Sequence, residues 1–188
     1  SMSVFASPAG GPIYSPSEPR AGGRPALVWP DTVNDYGLEL PADASCSEIF
    51  IVMQYKDGID EAWDNYITLI TDKAGITSNG VRTVGNYNGT NLYAGGSSAI
   101  SWLRKDGGSA TRTLLPMPLS VIRFTSKDQS TPGTPINIAS LGGPNKGGAN
   151  RAWQGIMCQL IAVSAQVTWT EAQAAQMTDF LMQKWGIS

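Results

Sequence analysis

The chain has 188 residues, no histidine and two cysteines, and its 13 basic and 15 acidic side chains give a net charge of only −2. These counts exclude Ser-His-Asp and Cys-His catalysis, histidine-ligated zinc and a four-thiolate zinc site. The near-neutral net charge does not indicate a basic surface of the kind that binds nucleic acid or an anionic membrane. The apolar runs are too short to span a bilayer. Catalysis, if present, would rest on carboxylate, lysine or tyrosine chemistry, within one domain of adequate core size.

The first thirty positions differ in composition from the rest of the chain. They contain six of the 12 prolines and the pairs Gly10-Gly11 and Gly22-Gly23. Because proline removes a ladder donor and glycine raises the entropic cost of ordering, we predict an extended arm over residues 1–25 and a folded domain over 26–188. The arm is interpreted either as a flexible tail or as a segment that lies along a neighbouring subunit.

The folded part begins with patterns typical of short strands. Runs rich in β-branched and aromatic residues, separated by Gly-Asn, Asn-Gly and Gly-Gly turns, predict strands at 47–55, 65–71, 80–84, 90–94, 99–104, 119–125, 136–141 and 156–163. Short strands at such intervals favour an all-β sandwich or jelly roll.

The C-terminal residues alone have a helical pattern. Thr168-x-x-Glu171 and Thr170-x-x-Gln173 are two candidate capping boxes. A stripe at spacing three to four follows, and Gly186 is placed to end the helix; the stripe contains Ala174, Met177, Leu181 and Trp185.

The motifs of the last fifty residues come in a recognisable order. The strand at 136–143 precedes Trp153-Gln154-Gly155, which opens a second strand, and the chain closes on a helix ending in Lys184-Trp185-Gly186. This order resembles the concanavalin A-like lectin/glucanase superfamily, specifically the laminin-G-like modules of phage and bacterial surface proteins. The resemblance implies a jelly-roll β-sandwich with one C-terminal α-helix packed on it. A glutamate of those modules corresponds here to Gln159, so its charge is lost, and no functional role is carried over.

The glucanase branch of that superfamily places paired carboxylates on one strand as Glu-x-Asp-x-x-Glu. This chain has five glutamates, none of them paired at such spacing on a predicted strand, and Glu171 falls in a helix cap. Retaining hydrolysis needs two carboxyl groups roughly 5–5.5 Å apart. We therefore expect no enzyme activity and no catalytic residue; a hydrolase requires other carboxylates to converge in space.

Two further features leave alternatives open. The acidic stretch at 57–64 is either a solvated loop or a calcium site, since calcium takes six to eight oxygen ligands. Cys46 and Cys158 are either bonded neighbours or two free thiols. We expect no metal and no cofactor.

Stacking rings beside side-chain amides and glycines are typical of sugar-binding sites. One stretch combines them, so we predict a ligand-binding site formed by Tyr87, Asn88, Asn91, Tyr93 and Trp102. The alternative is that Tyr93 and Trp102 are ordinary half-buried aromatic residues of a sheet.

The resemblance, the weakly charged Gly/Asn/Thr composition and the lack of a recognisable secretory signal favour one function. We expect a non-catalytic virion surface or tail-fibre module of a bacteriophage, made in the host cytoplasm, that binds host-envelope carbohydrate. Its partners would be that glycan and other virion subunits in a homo-oligomer, with no nucleic acid and no membrane insertion. The alternative is a structural decoration or oligomerisation module without a glycan ligand.

Overall fold

The computed structural model describes residues 3–5, 12–31, 37–64, 67–73, 84–86, 92–93, 102–125, 135–143 and 151–188. Within them lie eleven strands and one α-helix, with a 3₁₀ turn at Pro19–Ala21. The elements are β1 (Ser3–Phe5), β2 (Ile13–Glu18), β3 (Arg24–Trp29), β4 (Gly37–Tyr55), β5 (Thr68–Thr71), β6 (Val84–Asn86), β7 (Leu92–Tyr93), β8 (Trp102–Lys105), β9 (Ser120–Thr125), β10 (Ile136–Leu141), β11 (Gly155–Ser164) and α1 (Glu171–Trp185). The ten pairings among these described strands are all antiparallel. The predicted all-β character with one C-terminal helix is confirmed.

The 19-residue strand β4 organises the sheet. Its C-terminal part, 46–55, pairs with β11 on one side, and 48–53 pairs with β9 on the other. Its N-terminal part pairs with β10 and, at 37–39, with β1. β4 therefore joins two half-sheets, β2-β3-β11-β4-β9-β8 and β1-β4-β10-β5-β6-β7.

Alternate side chains of β4 enter two separate hydrophobic clusters, as the period of two of a strand requires. Ile49, Ile51 and Met53 pack in one cluster with residues of the second half-sheet, such as Ile138 and Leu141. The alternating positions face α1 instead; this second cluster includes Phe50, Val52, Val121, Ala174, Leu181 and Trp185. The first half-sheet is thus covered on both faces, which gives the molecule a sandwich-like core with a helix outside it.

The helix forms through one of the two predicted capping boxes. The hydroxyl of Thr170 accepts from the backbone nitrogen of Gln173, whose side chain in turn accepts from the Thr170 nitrogen. Gly186 ends the helix at φ 67°, in the left-handed region that favours glycine. Ala174, Leu181 and Trp185 of the predicted stripe are buried, while Met177 is half-buried. Glu171 does not act through a cap; its carboxylate binds Arg123 of the sheet.

The N-terminal hairpin crosses the boundary drawn at residue 26. β2 pairs with β3, and β3 pairs with β11 from Trp29↔Gly155 to Leu27↔Met157. Arg20, in the turn, binds Glu18 at 2.8 Å and donates to the main-chain oxygen of Lys56. Residues 13–25 therefore belong to the first half-sheet, an arrangement that the proline and glycine content did not indicate.

The two cysteines are free thiols in the structure. Cys46 lies opposite Ser164 in the β4–β11 register, and Cys158 lies six residues earlier on β11. Burial raises the pKa of the Cys46 thiol above its ordinary value. It raises the pKa of the Cys158 thiol to about 12, so both thiols are protonated and weakly nucleophilic near neutral pH.

None of the helices in the described residues has the length and apolarity needed to cross a membrane.

Candidate functional site

The predicted sugar site lies largely beyond what the structure describes. Tyr87, Asn88 and Asn91 are outside the described residues, and of Tyr93 and Trp102 only the backbone is described. Tyr93 in β7 pairs with Gly85 of β6, whereas Trp102 in β8 pairs with Thr125 of β9. The two aromatic residues therefore sit on different half-sheets, each on the terminal strand of its branch.

The acidic loop is organised around one lysine. Lys56, at φ 43°, places its ammonium 2.8 Å from Asp64 and 3.9 Å from Asp60. Asp57 accepts from the backbone nitrogen of Ile59, which closes the turn. The pKa of Asp60 is raised above its ordinary value, mainly by desolvation, although the charge of Lys56 acts to lower it. In the described parts of the chain no three acidic, cysteine or histidine side chains are arranged to hold a metal ion.

Two glutamates do converge in space, but on a buried arginine. Arg123 of β9 is 3% exposed and donates to Glu48 at 2.9 Å and to Glu171 at 2.6 Å, with Arg104 a further 3.8 Å from Glu171. Burial raises the pKa of Glu48, whereas the hydrogen bond from Arg123 holds the pKa of Glu171 below its ordinary value. Because both carboxylates bind the same guanidinium, Arg123 connects β4 and β9 to the first turn of α1.

An apolar cleft opens where β3 and β11 separate. Their pairing stops at Met157, where Cys158 forms a bulge against β4 and Pro25 has no N–H to offer the ladder. The cleft has a volume of about 320 Å³. Its wall is mainly aliphatic, with one amide, one phenol and one thiol; it is lined by Tyr14, Pro25, Ala26, Leu27, Leu38, Leu141, Met157, Cys158, Gln159 and Leu160.

Two cations lie beside the Trp185 ring near the end of α1, and neither of them lines the cleft. The ammonium of Lys184 donates to the Gln159 amide oxygen at 2.9 Å and lies 5.8 Å from the Trp185 ring. Arg24, adjacent to Pro25 in the chain, lies 5.4 Å from the same ring and donates to the main-chain oxygen of Lys184. Both side chains are exposed, and neither forms an ion pair with a carboxylate among the described residues.

Sequence reasoning missed this cleft because it assigned Tyr14 and Pro25, which both line it, to the arm. The available signal was the apolar pair Ile13-Tyr14 and the alternation in Arg24–Trp29, both hidden by the neighbouring prolines. The sequence relates Gln159 to a glutamate of the resembling modules, and it gives no sign that this residue lines a cleft.

The residues that carry the family resemblance contact one another. The amide oxygen of Gln159 accepts from Lys184 and, at 3.0 Å, from the indole nitrogen of Trp185. Gly155 has φ 117°, and a Cβ there would lie 2.2 Å from the Gln54 main-chain oxygen, so the third position of Trp153-Gln154-Gly155 requires glycine. Comparison of the chain with protein-family models, with curated proteins and with solved structures finds no match.

Proposed function

We propose that the chain is a non-catalytic, carbohydrate-binding module of a bacteriophage virion surface or tail fibre, built as a concanavalin A-like jelly-roll sandwich. The observation that carries the proposal is the pair of hydrogen bonds from Lys184 and Trp185 to Gln159. Lys184 and Trp185 belong to the closing motif of the resemblance, and Gln159 stands where those modules have a glutamate. Although Gln159 is far from the other two in sequence, the three residues meet where the last strand contacts the helix. The sandwich-like, all-antiparallel sheet is consistent with the same class.

The non-catalytic part of the proposal is supported by three glutamates of the described residues that form ion pairs within the fold. Glu48 and Glu171 bind Arg123, and Glu39 binds Lys73. Each of these pairs ties one element of the fold to another, which is a structural use of the charge.

The proposed glycan site is the one predicted from sequence. Residues 87–91 connect the antiparallel strands β6 and β7 in the chain, and Tyr93 follows on β7. Trp102 occupies the first position of β8 at the border of the other half-sheet. Aromatic stacking contributes on the order of 1 kcal/mol per contact, so a single site would be weak and several copies would act by avidity.

The test is adhesion of the multivalent protein to host cells and to an array of envelope glycans. Trp102→Ala and Tyr93→Ala should reduce binding at least tenfold while the circular dichroism spectrum is unchanged. Phe180→Ala, which removes an aromatic side chain 53% exposed on α1, is the matched control and should bind normally. Unchanged adhesion of both site variants would remove the glycan proposal.

The alternative, a structural or oligomerisation module, is favoured by one specific observation. Ile13 and Tyr14 are 69% and 63% exposed on β2, at the end of the first half-sheet. Sedimentation of the wild type and of an Ile13→Ser/Tyr14→Ser variant decides between the two. An oligomer that dissociates in the variant, together with no glycan binding by the wild type, supports the structural role.

A further inference from the structure

We propose that the edge of β11 beyond Met157 binds an extended peptide strand, antiparallel to β11, whose side chains alternate between aliphatic and acidic. This inference does not depend on carbohydrate binding and concerns a different part of the molecule. It rests on backbone groups of β11 that face no other strand, on an aliphatic cleft at one face of this edge, and on two cations at the opposite face.

The second half of β11 has an open edge. β3 pairs with β11 only from Gly155 to Met157, after which the bulge at Cys158 and the proline at Pro25 separate the two strands. β4 continues to pair with the other side of β11 as far as Ser164. Within the part of the chain that the structure describes, β11 beyond Met157 therefore has a strand on one side only.

The hydrogen bonds of β4 show which of its residues face β11. The Lys56 nitrogen donates at 3.2 Å to the oxygen of Gln154, which directly precedes β11. The Tyr55 nitrogen donates at 3.2 Å to the oxygen of Met117, on the side of β9. Because the backbone groups of successive strand residues point to opposite sides, the even-numbered residues of 48–54 bond to β11 and the odd-numbered ones to β9.

Two residues of β11 direct their backbone groups away from β4. Gln159 and Ile161 lie opposite even-numbered residues of β4 and bond to them, so Leu160 and Ala162 turn their N–H and C=O groups to the open side. No strand pairing or other hydrogen bond among the described residues uses these four groups. They repeat after roughly 6.8 Å along β11, which is the spacing that another extended chain presents.

The face of this edge toward the core selects for an aliphatic side chain. Leu160 lines the cleft together with Leu27, Leu38, Leu141 and Met157, and these side chains belong to the larger core cluster or pack against it. In an antiparallel pair, the residue that is hydrogen-bonded to Leu160 projects its side chain from the same face. The backbone of β11 would therefore hold a strand that places one side chain in the cleft.

The opposite face of the same edge selects for acidic side chains. Gln159, next to Leu160 in the chain, accepts from Lys184 at 2.9 Å. Lys184 and Arg24 lie 5.8 and 5.4 Å from the ring of Trp185, which belongs to the cluster beneath α1. Because successive side chains of a strand point to opposite faces, the two neighbours of the residue in the cleft would face these cations. Carboxylates are the complement of this face, since neither cation forms an ion pair among the described residues.

The experiment is titration of the isotope-labelled full chain at low ionic strength with the synthetic peptide acetyl-Thr-Val-Glu-Leu-Glu-Thr amide. The backbone amide signals of Leu160 and Ala162 should shift, and their exchange with solvent should slow, because the peptide would accept hydrogen bonds from both. A peptide with glutamine in place of both glutamates should bind about threefold to tenfold more weakly, as expected for the loss of exposed ion pairs.

Methylation of the peptide nitrogens separates backbone pairing from capture of an apolar group. In the antiparallel arrangement, the leucine N–H faces β11 and the two glutamate N–H groups face outward. A methyl group on the leucine nitrogen should weaken binding about tenfold, whereas methyl groups on both glutamate nitrogens should change it by about twofold at most.

Substitutions in the protein test the same contacts. Ala162→Pro removes an N–H that faces the open side, where an edge strand tolerates proline, so peptide binding should weaken about tenfold with an unchanged circular dichroism spectrum. Ala162→Ser keeps the N–H and is the matched control. Arg24→Gln and Lys184→Gln should each weaken binding of the acidic peptide about twofold to fivefold and leave the glutamine peptide unchanged. Arg112→Gln, which removes an exposed cation elsewhere, should have no effect.

Several results would overturn the proposal. These are unshifted Leu160 and Ala162 amides at millimolar peptide, equal affinity of the leucine-methylated and unmethylated peptides, and binding of the acidic peptide unaffected by the double Arg24→Gln/Lys184→Gln variant. Binding lost only on methylation of the glutamates would overturn the antiparallel arrangement, because a parallel strand turns those N–H groups toward β11.

Discussion

Arg123 on β9 donates a 2.6 Å hydrogen bond to Glu171 in the first turn of α1. The same guanidinium binds Glu48 on β4 at 2.9 Å and is itself 3% exposed. One buried cation therefore holds two adjacent strands and the start of the helix. Because Glu48 is also buried, its charge depends on this arginine for compensation.

Replacing Arg123 by Met should lower the free energy of unfolding by about 3–5 kcal/mol, because Glu48 would be left as an uncompensated buried charge. Urea denaturation followed by circular dichroism measures this loss. Arg104→Met is the control: that side chain is 3.8 Å from Glu171 and partly exposed, so about 1 kcal/mol or less should be lost. Equal losses in the two variants would contradict the structural importance of Arg123.

The Arg123–Glu171 pair should also give the protein a specific pH dependence. The hydrogen bond from Arg123 lowers the pKa of Glu171 below its ordinary value of 4.5 in the folded state. A lowered carboxyl pKa stabilises the fold above the unfolded-state pKa, and that stability is lost as the pH falls through the folded-state pKa. The stability difference between wild type and Glu171→Gln should therefore be constant near neutral pH and shrink below about pH 4.5.

Glu48 acts in the opposite direction. Burial is the main cause of its raised pKa, so its ionisation costs stability as the pH rises, and acid relieves this cost. Urea titrations of wild type and Glu171→Gln at several pH values isolate the contribution of Glu171. A difference between them that grows on acidification would show that the assigned pKa direction of Glu171 is wrong.

Gln159→Ala should lower the free energy of unfolding by about 1–3 kcal/mol, since the largely buried indole nitrogen of Trp185 would lose its acceptor. Gln159→Glu should be neutral or stabilising by up to about 1 kcal/mol, because it keeps the acceptor and adds an exposed ion pair with Lys184. Thermal melts measure both changes. Gln183→Ala, exposed on α1, is the control, and destabilisation by Gln159→Glu would argue against this geometry.

Truncations test how the N-terminal hairpin contributes. Removing residues 1–25 deletes β1, β2 and the start of β3, and it leaves the rest of β3 without its hairpin partner. Tm should therefore fall by about 10 °C or more, equivalent to ~3 kcal/mol. Removing only residues 1–11 keeps the hairpin and is the matched control, with a smaller effect. If the 26–188 fragment melts like the full chain, the hairpin is dispensable and the boundary at 26 describes the folded unit.

The parts of the fold that sequence predicted are those with a strong local signal. Residue spacing within the helix predicts its N-terminal cap and its end at a glycine. The same spacing predicts its buried face, which contains Ala174, Leu181 and Trp185. Ile136–Leu141 was predicted with the bounds that the structure has, because glycines and polar residues flank a clear apolar run.

The features that could not be predicted from the sequence depend on contacts between residues that are far apart in the chain. The convergence of Glu48 and Glu171 on Arg123 joins three elements, and no local pattern relates them. The hairpin of β2 and β3 was missed because its prolines and glycines resemble a linker, although pairing with β11 holds it in the sheet. The cleft exists only because that hairpin diverges from β11, so it was missed for the same reason.

The shared strand β4 constrains the order in which the protein can be assembled during synthesis. Its 46–55 segment leaves the ribosome about a hundred residues before β11, which pairs with most of it. Contacts between such distant parts of a chain close slowly, because the loop entropy must be overcome first. The first half-sheet therefore stays incomplete, with the apolar residues of β4 accessible to chaperones, until β11 has been made.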